Sequence, residues 1–138
     1  MKIVDIKDSF VSEEAYRIYA DCMFEPTFEK FRDEARELII DGGVSIFGRF
    51  EDGMLSGVIA LKSRDTDTEI VGIAVDRKLR GCGVGREMIS FAYERFGALF
   101  AETDDDAVSF YRKCGFKIDR FVKTFPNGEC IRYNCTKY

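Results

Sequence analysis

The residues best suited to chemistry form a glycine-rich segment, Arg80-Gly81-Cys82-Gly83-Val84-Gly85. It lies between an apolar run at positions 70–75 and a stretch of helical periodicity that begins at Val84. A glycine-rich turn that leaves a strand and opens a helix presents several unpaired backbone N–H groups, and the helix dipole adds positive charge at the same place. This combination predicts a site for phosphate groups.

The charge around this segment supports a polyphosphate ligand. The chain as a whole has a net charge of -4, so a local excess of positive charge runs against its average. No acidic residue lies between positions 77 and 86. The basic residues there are Arg77, Lys78, Arg80 and Arg86.

Two common phosphate-binding patterns do not fit this spacing. The dinucleotide fingerprint needs Gly-x-Gly-x-x-Gly. Counting from Gly81, the last position is Arg86, and counting from Gly83 it is Met88. The ATP-type loop needs Gly-Lys-Ser or Gly-Lys-Thr, and neither tripeptide occurs. The pattern that remains is Arg-x-x-Gly-x-Gly.

The hydrophobic pattern predicts a mixed sheet with helices on both faces. A hairpin is predicted to turn at Asp52-Gly53. Ser12 suits the N-cap of the first helix, and the second helix is predicted to start near Pro26, which suits a first turn. The predicted strands are 2–6, 44–51, 54–62, 69–75, 99–103, 116–125 and 130–137, and the predicted helices begin near Ser12, Pro26, Val84 and Asp104.

Two motifs resemble those of the GNAT superfamily of acyl-CoA N-acyltransferases. The segment at positions 80–85 looks like the loop that holds the pyrophosphate of acetyl-CoA in that family. The segment Phe110-Tyr111-Arg112-Lys113-Cys114-Gly115-Phe116 resembles the family's Phe-Tyr-x-x-x-Gly-Phe motif. The resemblance implies a single N-acetyltransferase domain over residues 1–138. It also implies an α/β (α+β) fold with a mixed, mostly antiparallel sheet of about seven strands, a splayed fourth and fifth strand, and about four helices on both faces.

The resemblance also implies a reaction and a co-substrate. Acetyl-CoA would donate an acetyl group to a primary amine of a small molecule or peptide, by direct attack within a ternary complex and without a metal. The alternatives are a CoA-binding sensor or interaction module that does not turn over, and an enzyme with a different acceptor group. Coenzyme contacts are expected from the fourth strand and from the glycine-rich segment with its flank. These residues are Ile73, Ala74, Val75, Arg80, Gly81, Cys82, Gly83, Val84, Gly85 and Arg86.

Two side chains are candidates for proton transfer. Tyr111 is the candidate general acid, because a phenol with a pKa of about 10 can return a proton to a leaving thiolate. The alternative is a tyrosine that only packs in the core. Glu69 resembles the glutamate base of the histone-acetylating branch, and its alternatives are a solvated strand end or deprotonation by water alone. Gly72 suits a bulge or close backbone approach, and Asp104 stands where many members have asparagine, so a helix cap is expected there.

Composition excludes several classes of function. There is no histidine, which excludes Ser-His and Cys-His pairs and every His-containing zinc site. The consecutive aspartates at 104–106 do not converge on a metal. Net acidity argues against binding to nucleic acid. No apolar run approaches the roughly 20 residues that cross a bilayer.

Cysteine usage and the N-terminus favour a cytoplasmic location. The first residues carry no cleavable signal pattern. The five cysteines show no Cys-x-x-Cys spacing, which is typical of free thiols in a reducing compartment. The last strand, with Tyr133 and Cys135, offers an edge for a possible homodimer.

The resemblance places the acceptor site between the first two helices and the last hairpin, around residues 24–32 and 121–129. Four aromatic residues in these segments are expected to belong to the core rather than to an acceptor pocket. They are Phe24, Phe28, Phe31 and Phe125.

Overall fold

The structure is a computed structural model that describes residues 2–138. Within these residues there are seven strands, four α-helices and three short 3₁₀ turns. The strands are β1 (Lys2–Asp5), β2 (Val44–Glu51), β3 (Met54–Ser63), β4 (Thr68–Val75), β5 (Leu99–Thr103), β6 (Lys117–Phe125) and β7 (Gly128–Lys137). The helices are α1 (Glu13–Tyr19), α2 (Phe28–Ile40), α3 (Val84–Phe96) and α4 (Val108–Lys113), and the 3₁₀ turns are Lys7–Ser9, Ala20–Cys22 and Arg77–Leu79.

All seven described strands form one sheet in the order β1-β2-β3-β4-β5-β7-β6. Each neighbouring pair is antiparallel except β4 and β5, which are parallel. The prediction of a mixed, mostly antiparallel sheet with helices is confirmed.

The parallel pair β4 and β5 is joined only at its beginning. Thr68 pairs with Leu99 and Glu69 pairs with Phe100, and no further pair follows in the described residues. The two strands then separate, which opens a wedge in the middle of the sheet. The expected splay of the fourth and fifth strands is confirmed.

Local chemistry explains where the elements begin and turn. The β2–β3 hairpin turns at Asp52 and Gly53, whose φ angles of 52° and 79° match a type I′ turn. The Ser12 side chain accepts a hydrogen bond from the Ala15 N–H at 3.0 Å, as expected for the α1 cap. The start of α2 near Pro26 is wrong by two residues. Thr27 caps that helix by accepting from the Lys30 N–H at 3.1 Å, so Pro26 precedes the cap.

The two faces of the sheet carry separate cores. Alternate residues of one strand point to opposite faces, and so Ile59 and Val58 of β3 belong to different clusters. One cluster packs under α3 and α4, and the other packs under α1 and α2. None of the helices described over residues 2–138 is long and apolar enough to span a membrane.

Candidate active site

The wedge between β4 and β5 opens into a cavity of about 1240 Å³. Its walls come from the upper part of β4, the glycine loop (residues 80–85), the end of β5, α4 and the Ala20–Cys22 turn. Separation of the strands therefore brings together segments that are far apart along the chain. The cavity-lining residues include Ile73, Val75, Gly83, Tyr111 and Glu102.

The side of β4 that faces the wedge is an open strand edge. From Ile70 to Val75 no described strand pairs with this side, whereas β3 pairs with the other. The register with β3 shifts where Leu61 pairs with Ile70 and Ala60 with Gly72, so Val71 is an extra residue in a bulge. An open edge of this kind can hydrogen-bond an extended ligand as it would a strand.

The residue after the bulge is Gly72, and a side chain would not fit at this position. A Cβ atom on Gly72 would lie 2.6 Å from Cζ of Tyr19, which is the last residue of α1. The expectation of a bulge or close approach at Gly72 is confirmed by both features. The Cys22 thiol lies beside the backbone N–H of Ile73 on the same wall.

The glycines of the loop serve different purposes. Gly81 and Gly83 have φ angles of +80° and +85°, which a side chain would strain. Gly83 is the N-cap of α3 and no side chain caps that end within residues 2–138, so the first amides of α3 are open to an anion. Gly85 has another role, because a Cβ there would lie 2.7 Å from Cε1 of Phe110. Its missing side chain therefore leaves room for the Phe110 ring of α4.

The positive charge of the loop is partly neutralised from elsewhere. The Asp21 carboxylate accepts from Arg77 at 2.9 Å and from Arg80 at 2.8 Å. Its side chain is largely buried while both arginines are exposed. Arg86 donates to the Lys113 carbonyl at 2.5 Å. The local excess of positive charge in the sequence is thus smaller in the folded chain.

Tyr111 lies on the cavity wall and is 5% exposed. Its ring packs edge-to-face against Phe110 and Phe116, with centroids 5.2 Å away in each case. Burial, and then the nearby thiols of the protein, raise the pKa of Tyr111 above its usual value. The phenol is therefore protonated at neutral pH, which suits a proton donor. The core role and the donor role do not exclude each other.

Glu69 lies at the vertex of the wedge, where it is the last β4 residue paired with β5. It is half-buried and does not line the cavity. The structure does not bring it into one wall with Tyr111. The predicted helix start at Asp104 is wrong: α4 begins at Val108, its N-cap is Ala107, and no side chain of the described residues caps it. Asp104 instead stabilises the turn before α4, because its Oδ1 accepts from the N–H groups of Asp106 at 3.0 Å and Ala107 at 3.1 Å.

Sequence reasoning missed Glu102, a carboxylate inside the cavity. Its Oε2 accepts from Arg132 at 3.1 Å and from Lys123 at 3.5 Å. The signal was available, because Glu102 is the only charged residue of the fifth strand, whose alternate residues are buried. An acidic residue on the open side of a half-buried strand is a candidate for a site.

The aromatic residues near the acceptor end differ from one another. Phe31 is fully buried, as expected. The core assignment is wrong for Phe24, which is 86% exposed at the cavity, and for Phe28 and Phe125, which are also exposed. Phe24 lies outside the core because it belongs to the connection between α1 and α2.

No group of three or more potential metal ligands converges in the part of the chain that the structure describes. The cysteine thiols there are all free, and those of Cys114 and Cys135 are buried.

Comparison with known proteins defines the class. The model of the acetyltransferase (GNAT) family matches residues 12–116, and the chain belongs to this family. The uncharacterized N-acetyltransferase YvbK of Bacillus subtilis strain 168 is 37% identical over 80 residues. That match covers 51% of this chain and 52% of YvbK, so about half of each protein takes part in it.

Solved structures share the fold over nearly the whole chain. An aminoglycoside 6'-N-acetyltransferase complexed with coenzyme A matches with a TM-score of 0.76 and 14% identity, over 99% of this chain and 96% of that one. A Bacillus subtilis acetyltransferase in complex with CoA matches with a TM-score of 0.72 and 22% identity, over 99% of each chain.

Proposed function

We propose that this protein transfers an acetyl group from acetyl-CoA to a primary amine of a small molecule or peptide within a ternary complex. The observation that carries the proposal is the meeting of three features in one cavity. They are the open edge of β4, the uncapped start of α3 behind the glycine loop, and the neutral phenol of Tyr111.

Two parts of the cavity offer hydrogen-bonding groups that suit the coenzyme. The backbone of Ile73, Ala74 and Val75 offers a strand edge to the pantetheine arm, which carries amides of its own. The loop amides and the start of α3 offer donors to the diphosphate. The loop residues proposed for this contact are Arg80, Gly81, Cys82, Gly83, Val84, Gly85 and Arg86.

When bound, acetyl-CoA supplies an activated acetyl thioester to the amine. On the protein side, an N–H of the open β4 edge, with Ile73 as the candidate, stabilises negative charge that develops on the acetyl oxygen. Tyr111 is proposed to donate its proton to the departing sulfur, because this residue lines the cavity and burial keeps its hydroxyl protonated.

Glu69 is proposed to receive the proton of the amine through water. Direct contact is not supported, because Glu69 does not line the cavity. Its position at the vertex, next to the first unpaired residues of β4, suits a relay of this kind. Glu102 does line the cavity, but its Oε2 is already engaged by Arg132 and Lys123.

Thiol release from acetyl-CoA, measured over a panel of amines, tests the proposal. We expect release with at least one amine, a product heavier by one acetyl group in mass spectrometry, and CoA binding in calorimetry. Tyr111→Phe is the matched control, since it keeps the ring and removes the proton. Binding of CoA without thiol release on any amine would instead support a sensor or interaction module. Absence of binding would exclude both functions.

A further inference from the structure

Arg49, outside the cavity, forms a buried polar node on β2. It is 6% exposed. Its Nε donates to both carboxylate oxygens of Glu87 at 3.2 Å, its Nη1 donates to Ser56 Oγ at 2.9 Å, and its Nη2 donates to Glu51 at 3.3 Å. Burial lowers the pKa of Arg49, but its bonds to Glu87 and Glu51 outweigh burial and raise that pKa overall. The cation is therefore fixed by partners on three segments.

Ser56, one partner of Arg49 in this node, hydrogen-bonds to the residue that follows β4. The β2–β3 register shifts between Arg49, which pairs with Gly57, and Phe50, which pairs with Leu55, so Ser56 is an extra residue in a bulge. Its hydroxyl donates back to the Arg49 carbonyl at 2.9 Å. Its carbonyl accepts from the Asp76 N–H at 2.9 Å. Asp76 is the first residue after β4, so the bulge fixes the point where the β4–α3 connection begins.

The Glu87 side of the node holds the start of α3. Glu87 lies in the first turn of α3, and its N–H donates to the Gly83 carbonyl at 3.0 Å. The same turn is pressed close to β3, because a Cβ on Gly57 would lie 2.8 Å from Met88 Cε and 3.2 Å from Val84 Cγ1. Gly57 directly follows the Ser56 bulge. Both ends of the connection are thus tied to a few neighbouring residues of the hairpin.

We propose that Arg49 is a positioning residue for coenzyme binding, because one guanidinium fixes both the strand end and the helix end of the β4–α3 connection. The connection contains most of the glycine loop, and its amides must converge on one anion to bind it. Arg49 also offsets the charge of Glu87, which would otherwise repel a diphosphate bound one turn away. This inference rests on the proposed function.

Calorimetry with CoA and steady-state kinetics with acetyl-CoA test it in the full-length protein. For Arg49→Met we expect at least about tenfold weaker CoA binding, the size of one lost charge-assisted hydrogen bond. The KM for acetyl-CoA should rise by a similar factor, while kcat changes less than about threefold. Glu87→Gln should weaken binding in the same direction at high salt, where the repulsion that it relieves is screened. The double variant should be no worse than Arg49→Met alone, because the two residues act as one unit.

Two control variants separate positioning from general loss of stability. Lys62→Met removes another cation of the hairpin, one that pairs with Asp41 at 3.2 Å away from the loop. Ile46→Ala opens a cavity in the other core, where Ile46 is fully buried. Both should keep the CoA affinity of the unaltered protein. Equal losses of affinity in these controls would overturn the proposal.

Glu87→Gln decides the matter if Arg49→Met does not fold, because the Glu87 side chain is 30% exposed and tolerates the change. Unaltered CoA affinity and KM in folded Glu87→Gln at high salt would overturn the proposal. Failure of the unaltered protein to bind CoA is a different result, since it removes the proposed function itself.

Discussion

A Cβ atom on Gly72 would lie 2.6 Å from Cζ of Tyr19. The end of α1 is therefore seated against the bulge of β4, with the Tyr19 ring in the space that a side chain would need. This contact joins the helical layer to the wall of the cavity, because Gly72 lines the cavity and Tyr19 belongs to the core under α1 and α2.

Gly72→Ala should destabilise the protein by about 1–3 kcal/mol, since the added methyl group overpacks this contact. Gly42→Ala is the matched control, because nothing lies within 4 Å of a Cβ there. We expect it to change the free energy of unfolding by less than about 0.5 kcal/mol. Urea unfolding measures both. Equal stability of the two variants would contradict the packing account.

Tyr111→Phe should lower kcat by about 10²- to 10⁴-fold and leave the KM for acetyl-CoA nearly unchanged. The ring packing with Phe110 and Phe116 is kept, so thermal stability should change little. Because burial raises the pKa of Tyr111, the activity of the unaltered enzyme should show no loss from ionisation of this phenol up to about pH 10. An unchanged kcat in the variant would leave Tyr111 with a packing role alone.

Asp21→Asn should strengthen CoA binding by about two- to fivefold at low salt and make it more sensitive to salt. Asp21 holds Arg77 and Arg80 in the free protein, and its neutralisation makes both cations available to phosphate. Titration calorimetry at two ionic strengths measures the change. Weaker binding would mean that the carboxylate orients the arginines for the coenzyme instead.

Glu69→Gln should lower kcat by about ten- to a hundredfold near neutral pH if the proton of the amine leaves through Glu69. Glu102→Gln is the comparison, because it removes a carboxylate that lines the cavity and is bound by Arg132. Rate profiles against pH for both variants assign the base. Full activity in Glu69→Gln would leave deprotonation to solvent.

Stability should fall as pH rises above about 9. Burial raises the pKa of Cys135 to about 11 and keeps that of Tyr19 above its usual value. Folding therefore favours the protonated forms, and the unfolded chain releases these protons at a lower pH. Each such group costs about 1.4 kcal/mol per pH unit between its unfolded and folded pKa. Cys135→Ala should flatten the decline between pH 9 and 11 in urea unfolding curves, and an equally steep decline would argue against a buried thiol.

The fold was largely predictable because its determinants are local. The Asp52-Gly53 turn, the Ser12 cap and the strand alternation act over a few residues, and each appears where the sequence places it. The error at Pro26 has the same origin. Proline and threonine both suit a helix start, and only the Thr27 hydrogen bond distinguishes them.

The site was less predictable because its determinants are distant in sequence. The charges between positions 77 and 86 do not reveal that Asp21 pairs with this segment, because Asp21 lies 56 residues before Arg77. The Arg49 node depends on a register shift that places Ser56 beside both Arg49 and Asp76. The contact between Gly85 and Phe110 depends on the packing of α4, which the spacing of the glycines does not reveal.

The separation of β4 from β5 has a consequence for hydrogen exchange of the backbone amides. Amide protons in a paired strand exchange slowly with deuterium, whereas those along the open flank of residues 70–75 lack that protection. A ligand bound in the wedge would hydrogen-bond to the open edge of β4 as a neighbouring strand would. Slower deuterium exchange of the β4 amides would then detect binding of the ligand even if no product is formed.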